Sequence, residues 1–214
     1  MATTYDNHKH SQFYRGLDAR HRRKHYLHLR ADLQSKCSKS AKRHLKRLHG
    51  RENRWMNDVN HRISKALVLS YPKCTTFTLE DLRNIRWTLC RMPKSEREVQ
   101  VSWPFYQLGT DLTYKSALHQ SRVIHINAHY TSQRCPNCGR VLAESRQHEI
   151  HTYICRYCRY TSNDDRIGAM NIQWLGNQKV NGKTHPKIIP NQLDKPMQLL
   201  SKKRQRARKR HNTR

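Results

Sequence analysis

Residues 135 to 172 read CPNCGRVLAESRQHEIHTYICRYCRYTSNDDRIGAMNI, and the fold turns on how this stretch is read. Cys135 and Cys138 form one C-x-x-C pair, and Cys155 and Cys158 form a second, with sixteen residues between them. Each pair sets two thiolates on a tight turn, and two such turns supply the four sulfurs of a tetrahedral zinc site. The intervening HTYIC has the β-branched and aromatic character of a strand, so the spacing predicts a four-cysteine zinc ribbon. A closed four-thiolate set leaves no open coordination position, which makes the expected Zn2+ structural. His148 and His151 lie between the pairs and are surplus to that set, so they are expected as surface histidines.

Working outward, the adjacent Asp164 and Asp165 precede RIGAMNIQWL, where Ile167, Met170, Ile172 and Trp174 suggest a short amphipathic helix. Two readings of the acids stay open here. One of them caps the helix or sits in its first turn, favoured by the dipole, or the carboxylates belong to a divalent-metal site for phosphodiester cleavage. A similar acidic pair, Glu80 and Asp81, ends a predicted strand in CTTFTLEDL. Two acids from distant parts of a chain do not complete a two-metal site, which needs a third.

Upstream, residues Leu17 to Tyr71 are almost free of Gly and Pro. Leu45, Leu48, Trp55, Met56, Val59, Ile63, Ala66 and Leu67 recur at three- and four-residue spacing, one buried stripe on a basic helix. Tyr26, Leu29 and Leu33 make a similar face before it. The pattern predicts two long antiparallel helices joined near CSKS, with Ser38 or Ser40 as the second N-cap. Gly50 leaves open whether the second element is one helix or two. Pro72 closes it, and the strand through Glu80 follows. Residues 83–102 are expected as a loop, WPFYQLGTDLTYKSALHQ as a helix with Pro104 in its first turn, and SRVIHIN as a short strand.

The balance of charge points to the partner. Among 214 residues there are 43 Lys and Arg against 15 Asp and Glu, a formal net charge of +28, with a pI near 10.4 and a mean hydropathy of −1.04. Such a surface calls for a polyanion, and nucleic acid is the expectation, because each phosphate contact releases a counterion. No segment approaches the roughly 18 consecutive apolar residues of a membrane span, and no amphipathic basic segment favours a membrane surface. The N-terminus has no apolar signal region, so the expected location is a reducing cytoplasm, nucleoid-associated, in a prokaryotic-type cell. There Cys37, Cys74 and Cys90 are free thiols. Candidate nucleic-acid contacts are Arg22, Arg23 and Lys24 in HRRKH, Lys42, Arg43, Lys46 and Arg47 in KSAKRHLKR, and Lys202, Lys203 and Arg204 in KKRQRARKR. Trp103, Phe105 and Tyr106 are candidates to stack on bases or to form a core-facing stripe. With 15 histidines, binding is expected to tighten below about pH 6.5 as imidazoles gain charge.

In combination, KSAKRHLKRLHGRENRWMNDVNHRISKALV, then LEDL, YKSAL, YTSQRCPNCG, CRYC and DRIGAMNI resemble the C-terminal half of TnpB (OrfB) proteins. These are transposon-encoded, RNA-guided DNA endonucleases related to compact type V CRISPR effectors. The resemblance runs from about residue 2 to 176. It implies an α/β fold: a partial RuvC-like (RNase H-type) nuclease domain with a long helical hairpin over 1–130, an inserted zinc ribbon over 131–161 and a final helix over 162–176, with a disordered basic tail over 177–214. It implies DNA and a guide-type RNA as partners, roles in transposition and DNA recombination, and Mg2+ as cofactor wherever the site is active. Glu80 matches the family's second acid, Asp165 the third with Asp164 one register off, and Asn171 the asparagine of A-x-N-I. Ala128 and Gly168 depart from the usual proline and alanine. The family's first acid lies in a G-x-D-x-G segment before the stretch that ATTYDN resembles, and Asp6 falls at a turn. The expectation is therefore a nucleic-acid binder that does not cleave alone. Its alternatives are an active Mg2+-dependent endonuclease whose third acid comes from Asp6 or a partner chain, or a dedicated nuclease-dead repressor.

Overall fold

In a computed structural model of the chain, residues 2–14, 17–82 and 105–190 are described. They form two compact units, one spanning chiefly Phe13–His125 and the other Thr3–Gln12 with the chain from Ile126 onward. The architecture mixes helices and short strands, as expected of an α/β chain.

The chain opens on a hairpin of β1 (Ala2–Tyr5) and β2 (Ser11–Tyr14). Its turn is built around Asp6. The Asp6 backbone N–H donates to the His10 carbonyl at 3.1 Å, and Lys9 N donates back to the Asp6 carbonyl at 3.1 Å. Asp6 Oδ1 accepts from the backbone N–H of His8 and of His10, both at 2.9 Å. That carboxylate is spent on holding a turn, the ordinary use of Asp at such positions.

Two long helices follow, α1 (Leu17–Ser35) and α2 (Lys39–Leu69). Ser38 supplies the N-cap: its side chain accepts from Ala41 N at 3.1 Å, satisfying one of the orphan donors of the first turn. Gly50 does not divide α2, which stays helical across it. The hydrophobic stripe outweighs one glycine, whose cost in a helix is about 1 kcal/mol. Ala41, Leu48, Met56, Val59, Leu67 and Val68 lie on the buried face. So do three polar residues that hydrophobicity alone would not place there, Glu52, Asn60 and Ser64. Glu52 receives Arg30 of α1, with Nη2 at 2.9 Å from Oε2. Arg23 is buried in the same seam, 5% exposed. Burial there pulls its pKa down against the opposing pull of Glu52. Arg23 is therefore a packing residue of the hairpin rather than a surface cation, because it falls on the α1 face turned to α2.

Ser70 ends α2, its N–H and hydroxyl both donating to the Ala66 carbonyl at 3.0 and 2.7 Å. β3 (Thr76–Glu80) pairs with β4 (Arg122–Ile126), and α3 (Phe105–Leu118) lies between them in sequence. Leu67, Val68, Phe77 and Leu112 form the buried cluster of this unit, with Tyr71 edge-on to Phe77 at 5.8 Å between ring centroids. Lys115 ties α3 to α2: its ammonium donates to the His61 carbonyl at 2.8 Å and Ser64 Oγ at 2.6 Å.

The second unit carries the ribbon, an antiparallel sheet in the order β5 (Arg146–Gln147), β6 (Thr152–Ile154), β7 (Thr161–Asn163), leading directly into α4 (Asp164–Val180). The helix continues four residues past Gly176, and Ile188 is buried against Ile126, Val141 and Leu175. The boundary at 177 is thus corrected. The basic composition beyond Gly176 hides one apolar anchor, and the part of the tail over 191–214 lies outside the described residues, as does the loop expected over 83–102. Among the described residues no helix is long and apolar enough to cross a membrane.

At Gly50 an added Cβ would meet only the far end of the Arg54 side chain, at 3.5 Å. Gly50→Ala is expected to stabilise the hairpin by about 0.5–1 kcal/mol, read as a higher denaturation midpoint in urea. A lower midpoint would show that α2 needs a flexible point there.

Candidate metal centre

The two C-x-x-C turns are built alike. In the first, Cys135 N donates to the Arg140 carbonyl at 2.8 Å and Gly139 N to the Cys135 carbonyl at 2.9 Å. In the second, Cys155 N donates to the Tyr160 carbonyl at 2.9 Å and Arg159 N to the Cys155 carbonyl at 2.9 Å. Both turns pass through the left-handed region one residue after the second cysteine, at Gly139 (φ 77°) and Arg159 (φ 60°). Glycine takes that conformation freely, whereas arginine carries strain there.

These turns bring four sulfurs together. Cys135 Sγ lies 3.6 Å from Cys158 Sγ and Cys138 Sγ 3.7 Å from Cys155 Sγ, and all four fall within 4.8 Å of one another. A tetrahedron with Zn–S bonds of about 2.3 Å has an edge of about 3.8 Å. The donor set fits a four-coordinate zinc ion in size and in chemistry. Cys135 and Cys155 are fully buried, packed with Tyr153 and with Ile167 of α4. Burial pushes the Cys135 thiol up to about 12. On the rim, the Tyr160 backbone N–H stabilises the Cys158 thiolate and draws it down to about 6.

From this centre the ribbon reaches α4 in two places. Arg134, immediately before the first knuckle, donates to Asn171 Oδ1 at 2.9 Å, while Asn171 Nδ2 donates to the carbonyls of Thr131 (2.7 Å) and Arg134 (2.8 Å). The Arg134 guanidinium also stacks on Trp174, 4.0 Å from the ring centroid. The second place is the helix start. Asn163, not an aspartate, is the N-cap: its side chain accepts from Asp165 N at 3.0 Å and Arg166 N at 3.1 Å. Asp164 is 1% exposed and takes Arg146 Nε on Oδ2 at 2.9 Å. Asp165 is half exposed, with Arg146 Nη2 at 3.6 Å. His151 Nδ1 stands 3.5 Å from Asp164 Oδ1. It is exposed, as expected, yet faces an acid that spacing did not connect with it.

The remaining candidate residues are distributed. Glu80 is the last residue of β3 in the first unit, and Asp165 belongs to the second. Lys24, Lys42, Arg43, Lys46 and Arg47 are solvent-exposed on the α1–α2 hairpin, and Arg22, also exposed, stacks on Trp55 at 4.8 Å. Lys202, Lys203 and Arg204 lie outside the described residues. A further basic surface that sequence reading missed covers the second knuckle, where Arg140 stacks at 3.7 Å on the exposed Tyr157, flanked by Arg156 and Arg159. The repeated R-Y in CRYCRY was its only sequence signal.

Residues 105–172, spanning α3, the ribbon and the start of α4, match the family model described as Cas12f1-like, TNB domain. In sequence the chain is similar to TnpB-like and Cas12f1 proteins. A Cas12f1 CRISPR-associated endodeoxyribonuclease of Sulfoacidibacillus thermotolerans is 35% identical over 116 residues, covering 53% of this chain and 26% of that protein. A TnpB-like protein of Methanocaldococcus jannaschii is 30% identical over 129 residues, covering 60% of this chain and 45% of its relative. The chain thus spans less than half the length of these relatives. Its fold is similar to that in a cryo-EM structure of a CRISPR-Cas12f ternary complex, with a TM-score of 0.61 at 16% identity over 89% of this chain and 39% of that one. A Cas12f1–sgRNA–target DNA complex gives 0.59 at 16% identity over 78% of this chain and 44% of that one.

Native mass spectrometry of the purified chain is expected to find one zinc ion. Because protons compete for the thiolates, that zinc is expected to leave as the pH falls, and Cys155→Ser to lose it at neutral pH. A zinc-free chain with unchanged near-ultraviolet circular dichroism would contradict the assignment.

Proposed function

We propose that this chain is a zinc-stabilised nucleic-acid-binding part of a TnpB-type, RNA-guided DNA endonuclease system of a transposable element. One observation carries the reading: the segment matching the Cas12f1-like domain encloses both the four-sulfur cluster and the acidic start of α4. The Cas12f1 endodeoxyribonuclease relatives and the Cas12f1–sgRNA–target DNA complex add the partners, DNA and a guide RNA.

The chemistry of the surface agrees with that assignment. Lys42, Arg43, Lys46 and Arg47 occupy successive turns on the exposed side of α2 with no acid among them, so they can meet consecutive phosphates. Arg140 on Tyr157 and Arg134 on Trp174 offer planar cation–aromatic surfaces on which unpaired bases stack. Zinc itself does no chemistry in this reading; it holds the ribbon. In the RuvC-like domain that the resemblance implies, Glu80 and Asp165 are the acids this chain contributes to a Mg2+-dependent site. A two-metal site of that kind depends on carboxylates shared between the ions, and Asp6 is committed to its turn. The 214-residue chain alone is therefore a binder, and phosphodiester cleavage needs a further acid.

The test is a binding and cleavage assay on the zinc-loaded chain with single- and double-stranded DNA and structured RNA, in Mg2+ and in Mn2+. Binding is expected to weaken steeply with salt. Replacing Lys42, Arg43, Lys46 and Arg47 by Gln is expected to reduce the log–log salt slope by roughly 0.7–0.9 for each phosphate that is no longer neutralised. No cleavage is expected. Salt-insensitive binding would overturn the nucleic-acid reading, and cutting that survives Glu80→Gln and Asp165→Asn would overturn the placement of the acids.

A further inference from the structure

The start of α4 holds a second group of donors, separate from the four sulfurs. His151, Asp164 and Asp165 each offer one ligand atom within a common 4.8 Å. Asp164 supplies the observation that sets this group apart from an ordinary acidic surface. Its side chain is 1% exposed, and Arg146 engages only Oδ2, at 2.9 Å. Oδ1 is buried and accepts no hydrogen bond. A carboxylate oxygen hidden from water without a donor is costly, and this one is turned toward the His151 ring, 3.5 Å from Nδ1.

The 3.5 Å between His151 Nδ1 and Asp164 Oδ1 suits two ligands of one ion. With metal–ligand bonds of about 2.1 Å, donors around one ion lie about 3.0–3.5 Å apart in octahedral and tetrahedral arrangements. The local backbone delivers the imidazole: the His151 carbonyl accepts from Asp164 N at 3.2 Å and from Asn163 Nδ2 at 3.1 Å, which fixes His151 beside the helix start. His151 also adopts φ 50°, in the left-handed region. Two carboxylates against one guanidinium leave a net charge of about −1, enough to favour a cation. Arg146 takes the outer oxygen of Asp164 and leaves the inner one, the arrangement of an outer partner that orients a ligand.

We propose that His151, Asp164 and Asp165 form a divalent transition-metal site at the junction of ribbon and α4. One imidazole nitrogen among carboxylate oxygens favours Mn2+, Fe2+ or Zn2+ over Mg2+, which prefers an all-oxygen set. The site shares Asp165 with the acid position discussed above, but it requires neither Glu80 nor nucleic acid.

The probe is Mn2+ added to the zinc-loaded chain without nucleic acid, followed by electron paramagnetic resonance and by paramagnetic broadening of the histidine ring signals in NMR. One Mn2+ is expected to bind, to resist a tenfold excess of Mg2+, and to broaden the His151 signals selectively. His151→Asn keeps a residue that tolerates the left-handed backbone, and it is expected to weaken Mn2+ by at least about tenfold. Glu80→Gln is expected to leave Mn2+ binding unchanged, which separates this site from the cleavage reading. No Mn2+ bound, or Mn2+ held equally well by His151→Asn, would overturn the proposal.

Discussion

The second unit depends on four sulfurs held at the edge distances of a zinc tetrahedron. Its apolar core is small: Tyr153, Ile167 and the two buried cysteines form one cluster, and Ile126, Val141, Leu175 and Ile188 form another. Cores of that size stabilise a fold weakly, and small domains commonly rely on a metal for the difference. Because the unfolded chain holds no such four-thiolate set, zinc binding contributes folding free energy directly. Ile167 is the mechanical consequence. It belongs to α4 yet packs on Cys135 and Cys155, so the helix that carries Asp164 and Asp165 sits on the four-sulfur cluster.

Position follows from that packing. Asn171 locks the middle of α4 to the turn before the first knuckle, Asn163 caps its first turn, and Arg146 reaches from β5 to both aspartates. An exposed carboxylate such as Asp165 would otherwise depend on a fraying helix end. The ribbon removes that freedom. Its insertion ahead of an acidic helix start therefore reads as a positioning device, and the pair of aspartates behind the second knuckle has two different roles. Asp164 is buried structure with one oxygen left over, and Asp165 faces solvent.

Much of this was legible in the sequence. The C-x-x-C pairs, the stripe on α2, the cap at Ser38, the stop at Pro72 and the strand ending at Glu80 all follow from local rules, because each depends on residues a few positions apart. What escaped depends on distant partners. Arg23 looks like a surface base until α2 covers it beside Glu52, and His151 looks surplus until β7 and α4 bring Asp164 to it. Gly176 and the basic composition beyond it hide the last turn of α4 and the anchor at Ile188, whose apolar partners Ile126 and Val141 lie far back in the chain. Asn163 competes as a cap with the charged residues beside it, and asparagine ranks equally with aspartate there.

The central claim is that zinc holds α4, and amide hydrogen exchange tests it directly. The zinc-loaded chain and the same chain after chelation would be compared across Asp164–Val180. If the account is right, these amides are protected with zinc and exchange orders of magnitude faster without it. Protection of α4 that is unchanged on zinc removal would contradict the account and leave the ribbon as a separate appendage.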